Sequence, residues 1–411
     1  MLIYENFKAK LINILKFGIN PFRKFVSTGE IREDLGLVNS RKPLLENLMS
    51  IIEDNKNCIV PIIGNVGIGK THLYWALKNR MYYHNAIYLS LDEIYKRFFY
   101  TIYSEFIEVI GLEPLRNIVN QLVNKWGALE RKFGFFHIVD TKKIKQSALK
   151  MINHKFEEDE KTALHDIITG ITTHQLDPYK KIEAERWLLG EIMDIRELTR
   201  LNMMNDLTKN RNAYVMLKLL IENSKLGTIL FIDDFESIVK SYPSQDDTDE
   251  VFDPSWLYGK EDSPDEILSQ KLLRRVLKLQ KIDGLRIIIT LKSRKSLEDV
   301  KKNISKIDEK ILNFIKDPLC LSNFEEPDIY ELYTKSMKNF LENGNFTKIP
   351  TDLFEDYYPL NKKILENIYD ISKGNPREIL KMLIKIFNEI IFSNKNLSEV
   401  REKYENTSIS P

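Results

Sequence analysis

The 411-residue sequence holds only two cysteines, Cys58 and Cys320, far apart and outside any CxxC pair. That excludes a disulfide framework or cysteine zinc site and fits a reducing, cytoplasmic setting. No apolar run approaches the roughly 18–20 residues needed to cross a bilayer, and no secretory signal opens the chain, so no membrane partner is expected. Neither sign of charge is in excess. With 61 Lys and Arg against 60 Asp and Glu, nothing global steers the chain toward nucleic acid, and only local patches remain. The six histidines, at 72, 84, 137, 154, 165 and 174, show no HxxxH or HExxH spacing, and no internal repeat or long low-complexity tract is present.

What is present is 43% apolar content over a length that favours two or three packed units. Residues 1–22 mix Leu, Ile and Phe with Lys8, Lys10 and Lys16, readable as a packed amphipathic helix or as an interfacial one. Asn20-Pro21-Phe22 and Gly29 break it, and 41–54 carries Leu44, Leu45, Leu48, Ile51 and Ile52 at helical spacing. Apolar runs without helical period at 58–63, 85–91, 228–232, 285–290 and 318–321 read as strands, and their alternation with helical stretches predicts an α/β fold with a parallel sheet. A βαβ unit needs about 30 residues, yet roughly 160 separate Thr71 from Asp233, so a mostly helical insertion is expected, with helices at 110–126 and 182–198. The stretch 242–265, rich in Pro, Asp and Glu and without period, predicts a mobile acidic loop.

Gly64-Asn65-Val66-Gly67-Ile68-Gly69-Lys70-Thr71-His72 lies where the first strand run meets a helical one. Glycines there let successive N–H groups turn inward as an anion nest at a helix N-terminus, the GxxxxGK[ST] phosphate loop of ATP-binding proteins. Lys70 is placed to reach the β- and γ-phosphates and Thr71 to coordinate Mg²⁺. His72 follows in the loop helix, where packing is the expected role. Pro61 resists the pattern, since its missing N–H forfeits a ladder bond; a bulge, or a position facing away, is implied. The second acidic motif, Ile229 to Glu236, is an apolar run ending in carboxylates. Asp233 is the candidate Mg²⁺ carboxylate, Asp234 the candidate general base, and Glu236 the fallback base. No NKxD motif appears, which disfavours GTP.

The chain at this point resembles the AAA+ ATPases of the initiator-like branch, which includes origin-recognition proteins and archaeal ATPases. The carriers are Gly64 to Leu73, Asn20-Pro21-Phe22 followed by Arg41, the run 285–290 and Gly374-Asn375-Pro376-Arg377. The resemblance implies a sensor 1 role for Thr290, with Ser293 as the alternative, and a sensor 2 role for Arg377 in a helical lid. Read without it, Gly-Asn-Pro-Arg is an ordinary capped helix start. The implied organisation is a P-loop NTPase core at 41–92 and 201–325, a helical lead-in at 1–40, a helical insertion at 93–200, a helical lid at 326–400 and a tail at 401–411. A weaker likeness, carried by Arg186-Trp187-Leu188-Leu189-Gly190-Glu191, is to ATP-binding proteins of BREX-type phage-defence loci.

The implied function is ATP binding and hydrolysis with Mg²⁺, as a switch acting on DNA or a DNA-bound partner; the alternative is a defence or signalling switch holding a protein partner through the insertion. Three departures qualify it. Asp234 stands where the family usually has Glu, which predicts slow hydrolysis. No arginine lies between Lys295 and Pro376, leaving only Lys310 or Lys316 in place of an arginine finger, so ring assembly is doubtful and a homo-oligomer stays open. The 34 residues after Arg377 (411 minus 377) are too few for a winged-helix domain. Two basic clusters, Lys142, Lys143 and Lys145, and Lys292, Arg294, Lys295, Lys301 and Lys302, read as solvated faces or as nucleic-acid contacts. Phe98, Phe99, Tyr100 and Tyr103 read as core packing rather than base stacking.

Overall fold

The structure, a computed structural model, describes residues 2–23, 38–91, 97–128, 140–239, 264–344, 346 and 349–406. All but the last two residues of the expected acidic loop at 242–265 lie outside them. The chain divides into two compact units: Met1–Glu53, Ile62–Tyr82 and Pro318–Pro411 form the first, Asp54–Pro61 and Tyr83–Asp317 the second.

The five apolar runs are the five strands: β1 (Cys58–Ile63), β2 (His84–Ser90), β3 (Gly227–Asp233), β4 (Leu285–Leu291) and β5 (Leu319–Cys320). They form one sheet in the order β2-β3-β4-β1-β5, with β2–β3, β3–β4 and β1–β5 parallel. Burial on both faces of the central strands explains why they are continuously apolar: β1 is buried throughout and β3 from Thr228 onward. Pro61 sits where the partner segment slips. Ile59 bridges Ile315 while Ile62 pairs Leu319, an advance of three residues on β1 (62 minus 59) against four on its partner (319 minus 315). This is the expected bulge, placed where the proline has no N–H to give.

In the second unit the long segment between β2 and β3 is helical: α4 (Phe98–Ile110), α5 (Leu112–Val123), α6 (Thr141–Ile152), α7 (Glu158–Leu176), α8 (Lys181–Leu188), α9 (Ile195–Leu201) and α10 (Asn210–Asn223). α4 packs on β2, and α10 packs on both α4 and α7. α10 is buried from Asn212 to Ile221, as befits a helix packed on several sides. Phe98, Phe99 and Tyr103 are buried on α4, so the aromatic run serves the core.

Two expected helices are each interrupted at a glycine. The helix read at 110–126 begins only after Gly111, whose φ of +73° ends α4, and regular α-helix stops at Val123. The helix read at 182–198 is two helices, α8 and α9, parted by a turn at Gly190 with φ +82°. In that turn the Tyr100 hydroxyl donates to the Gly190 carbonyl (2.8 Å) and the Tyr103 hydroxyl to that of Leu188. Arg186 bridges Glu191 and Glu197 at 2.7 Å each, and the fully buried Trp187 donates to the Asn205 carbonyl. The Arg186 to Glu191 segment is therefore accounted for by packing within the insertion.

In the first unit α1 (Leu2–Leu15), α13 (Glu326–Asn343), α14 (Lys362–Ser372), α15 (Pro376–Phe392) and α16 (Leu397–Asn406) share one hydrophobic core, to which Leu11, Leu15, Phe22, Tyr333, Phe387 and Tyr404 all belong. Of the two readings of the N-terminal residues, the packed helix is the one observed. Asn20 fixes the chain after α1 by donating to the Ile384 carbonyl (3.0 Å) and to Asn388 Oδ1 (2.9 Å), while the Phe22 ring stacks on Tyr333 at 5.8 Å. α2 (Lys42–Asp54) and α3 (Lys70–Arg80) complete this unit, with α12 (Arg294–Ile307) and α11 (Pro264–Leu279) in the second. Among the described residues no helix is long and apolar enough to cross a membrane.

Candidate functional site

In the first unit the chain leaves β1 at Ile63, turns through Gly64 to Gly69 and enters α3 at Lys70. Gly67 and Gly69 have φ of +82° and +100°, conformations that cost an L side chain and let the peptide N–H groups turn in succession. Gly64 is needed for space: a Cβ there would stand 2.7 Å from Ile68 Cγ2 and 3.3 Å from Leu321 Cβ. Lys70 is buried, and its ammonium donates to the carbonyls of Gly64 (2.8 Å) and Asn65 (3.3 Å), lying over the loop it belongs to. Thr71 and His72 occupy the first turn of α3 and are half-buried, as is Gly67, while Asn65 and Val66 are exposed and Ile68 is buried.

The start of α15 is seated on this loop. The Arg377 N–H donates to the Gly67 carbonyl (3.1 Å), and Asn375 Nδ2 donates to that of Val66 (3.1 Å). The other end of the Asn375 amide caps α15, its Oδ1 accepting from the N–H groups of Arg377 (3.0 Å) and Glu378 (3.4 Å), with Pro376 in the first turn. The Arg377 side chain is exposed. A Cβ on Gly67 would lie 2.8 Å from Arg377 Cβ and 2.9 Å from Asn375 Oδ1, so the approach of loop and helix depends on glycine at that position. Arg41 belongs to the same unit; its guanidinium donates to the Ser322 carbonyl and lies over the Phe324 ring at 5.4 Å. Burial lowers its pKa, opposed by the charge of Asp328.

In the second unit β3 delivers Asp233 to its C-terminal end, buried. Thr290, buried near the end of β4, donates its hydroxyl to Asp233 Oδ1; the Asp234 N–H donates to the same oxygen (3.1 Å) and to the Thr290 hydroxyl (2.9 Å). Tyr88 of β2 donates to Asp233 Oδ2 at 2.8 Å. Both carboxylate oxygens are thus oriented by protein donors. Asp234 departs from the strand in the left-handed region, φ +48°, and is exposed. Glu236 is buried in the turn that follows, 3.2 Å from the Lys292 ammonium, and neither of its oxygens accepts a hydrogen bond among the described residues. Ser293, the alternative to Thr290, caps α12 by accepting from the Ser296 N–H (3.1 Å).

Sequence reasoning missed Tyr88 as a partner of Asp233 and Asn375 as a contact of the loop. Tyr88 is one aromatic among many in a strand, and only the β2–β3 register, which pairs Ser90 with Asp233 and Tyr88 with Phe231, brings its hydroxyl to the acid. The basic clusters separate similarly: Lys142 and Lys143 are exposed on α6, whereas Lys145 turns inward to Thr169.

No known family model matches this sequence, and none of the curated proteins does. Among solved structures it is similar to a Walker-type ATPase of Pyrococcus abyssi, at 13% identity and a TM-score of 0.43 over 93% of this chain and 75% of that one, a likeness too distant to carry a functional argument.

Proposed function

We propose that this protein is an AAA+-type ATPase whose bound nucleotide switches its action on DNA or on a DNA-bound partner. The observation that carries the reading is the start of α15 resting on the glycine loop through the Gly67 and Val66 carbonyls. The loop has the residues a triphosphate requires: two glycines in the left-handed conformation, and a lysine held on the loop's own carbonyls that can exchange them for phosphate oxygens. A phosphate bound there would compete with the Gly64 and Asn65 carbonyls for the Lys70 ammonium, and the contacts of Arg377 and Asn375 with Gly67 and Val66 would carry that change to the helical core of this unit.

Thr71 is the candidate Mg²⁺ ligand of the first unit and Asp233 that of the second. When bound, Mg²⁺ neutralises charge developing on the transferred phosphoryl group. Asp234, exposed and turned out of the strand, suits a water-orienting base better than Glu236, which is buried against Lys292. Thr290 holds Asp233 and the Asp234 N–H together, and Arg377 supplies a cation above the loop.

A second reading, a defence or signalling switch that binds a protein partner through the insertion, is favoured by one observation. Tyr179, Ile182, Ile192 and Ile195 are all strongly exposed within one segment of the insertion, the kind of apolar surface that partners cover. Titrating duplex DNA into the protein with and without ATP, at two salt concentrations, separates the readings. ATP-dependent, salt-sensitive binding supports the first; absence of DNA affinity together with loss of ATP turnover in Lys70→Ala leaves the second standing. Unchanged ATP turnover in Lys70→Ala would refute both.

A further inference from the structure

The second unit contains a cavity of about 270 Å³ between α6, α7 and the segment joining α7 to α8, lined in part by Lys145, Thr172, Thr173, Asp177, Lys180 and Asn202. None of these residues belongs to the ATPase reading. Two features set the cavity apart from a solvated surface. First, it gathers two ammonium groups that have no carboxylate partner among the described residues. Lys145 donates to the buried Thr169 hydroxyl (3.1 Å) and Lys180 to the Arg200 carbonyl (2.7 Å), whereas the neighbouring Lys143 is exposed and ion-paired with Asp140. Burial lowers the pKa of Lys145, and the charge of Lys180 lowers it further. Asp177 lines the same cavity but is ion-paired with neither lysine among the described residues, so two partly desolvated cations face it without a direct anionic partner, a costly arrangement that a bound anion relieves.

Second, the neutral donors are sorted. The Thr172 hydroxyl is committed to the Ile168 and Thr169 carbonyls of its own helix, while the side chains of Thr173 and Asn202 have no described hydrogen bond. Asp177 accepts from the Tyr179 N–H through Oδ1, leaving its other oxygen available for a hydroxyl of a ligand. The volume lies just below the range of ordinary small-molecule pockets, about 300–1,000 Å³, and restricts the organic part to roughly one ring.

We propose that this cavity binds a small phosphomonoester, its phosphate held by Lys145 and Lys180 with donation from Thr173 and Asn202, and a hydroxyl of its organic part received by Asp177. Lysine provides the charge as a point donor, and the neutral groups provide direction. The site is independent of the glycine loop and of the proposed ATPase activity.

Pyridoxal 5′-phosphate is a suitable probe, because it carries a phosphate and an aldehyde on one ring. With the probe's phosphate on Lys180, Thr173 and Asn202, the unprotonated fraction of Lys145 adds to the aldehyde, water leaves to give an imine, and borohydride reduces the C=N bond to a stable secondary amine that peptide mass spectrometry locates. With the full chain, the label is expected on Lys145 in preference to Lys142, Lys143 and Lys150 of the same helix. Inorganic phosphate should remove most of it, and Lys180→Gln should weaken that protection. Labelling of Lys70 is scored separately as the response of the glycine loop, so failure there leaves the cavity result readable. Lys145 labelled no more than Lys142 and Lys143, or not protected by phosphate, would overturn the proposal; these two comparisons need only the unmodified protein, should Lys180→Gln fail to fold.

Discussion

Asp233 is held by three donors from three places in the sequence: the Tyr88 hydroxyl, the Thr290 hydroxyl and the Asp234 N–H. In the proposed Mg²⁺ role, a carboxylate fixed in this way before anything binds would leave little reorganisation for the reaction step, which is how a preorganised polar site aids catalysis. Tyr88→Phe keeps the ring in its stack with Phe231 and removes only the donor. ATP turnover measured at saturating ATP should fall about tenfold, equivalent to roughly 1.4 kcal/mol and close to the lower end of what one hydrogen bond to a charged group contributes. Asp234→Asn should retain ATP binding while abolishing hydrolysis; if turnover survives there and is lost in Glu236→Gln, the buried glutamate is the base. A structural carboxylate gives a separate pH prediction. Glu185 accepts two hydrogen bonds from Arg116 and one from His174, and the Arg116 contact in particular lowers its pKa from the ordinary 4.5 to about 2, against the effect of burial. Because the folded-state value lies below the unfolded one, this stabilisation is complete above pH 4.5 and is lost as pH falls toward 2. Acid unfolding followed by circular dichroism should therefore be less steep across that interval in Glu185→Gln.

At the scale of elements, the junction between the glycine loop and α15 depends on one glycine and one asparagine. Asn375→Ala removes both the cap and the contact to the Val66 carbonyl, so a loss of about 0.5–2 kcal/mol is expected from the cap alone in denaturant titration, accompanied by altered ATP affinity. Gly67→Ala adds a methyl group at φ +82° against Arg377 and should impair nucleotide binding even though Lys70 is unchanged; ATP affinity equal to the parent would show that this contact has no functional role. The same residues show how far sequence was informative. Gly-Asn-Pro-Arg could be read as a capped helix start, and it is one; its second role, gripping the loop, depends on residues more than 300 positions away. The helices expected at 110–126 and 182–198 are shorter in the structure for a related reason. Apolar periodicity runs on through Gly111 and Gly190, and a single residue of positive φ is enough to redirect the chain while leaving the pattern intact.

At the scale of the molecule, the two units have different sources of cohesion. The first is a helical core joining the N-terminal α1 to the C-terminal α13–α16, and the second combines the strands β2, β3 and β4 with the buried helices α7 and α10. Leu15 is fully buried in the first core, and Leu15→Ala should cost about 2–5 kcal/mol there. Hydrogen exchange should show the loss of protection concentrated in α13–α16, with α7 and α10 little affected; uniform loss would mean that the chain unfolds as one unit. Sequence by itself determined the strands, because residues buried on both faces must be apolar without interruption, and it determined the glycine loop, because left-handed backbone leaves few alternatives to glycine. It also placed the irregularity at Pro61, since a proline cannot complete the ladder. Only the tertiary structure decided the partners of Asp233, the seating of α15 on the loop and the inward turn of Lys145. Each of those rests on register or packing between distant segments, and local sequence is silent about which distant group will supply the donor.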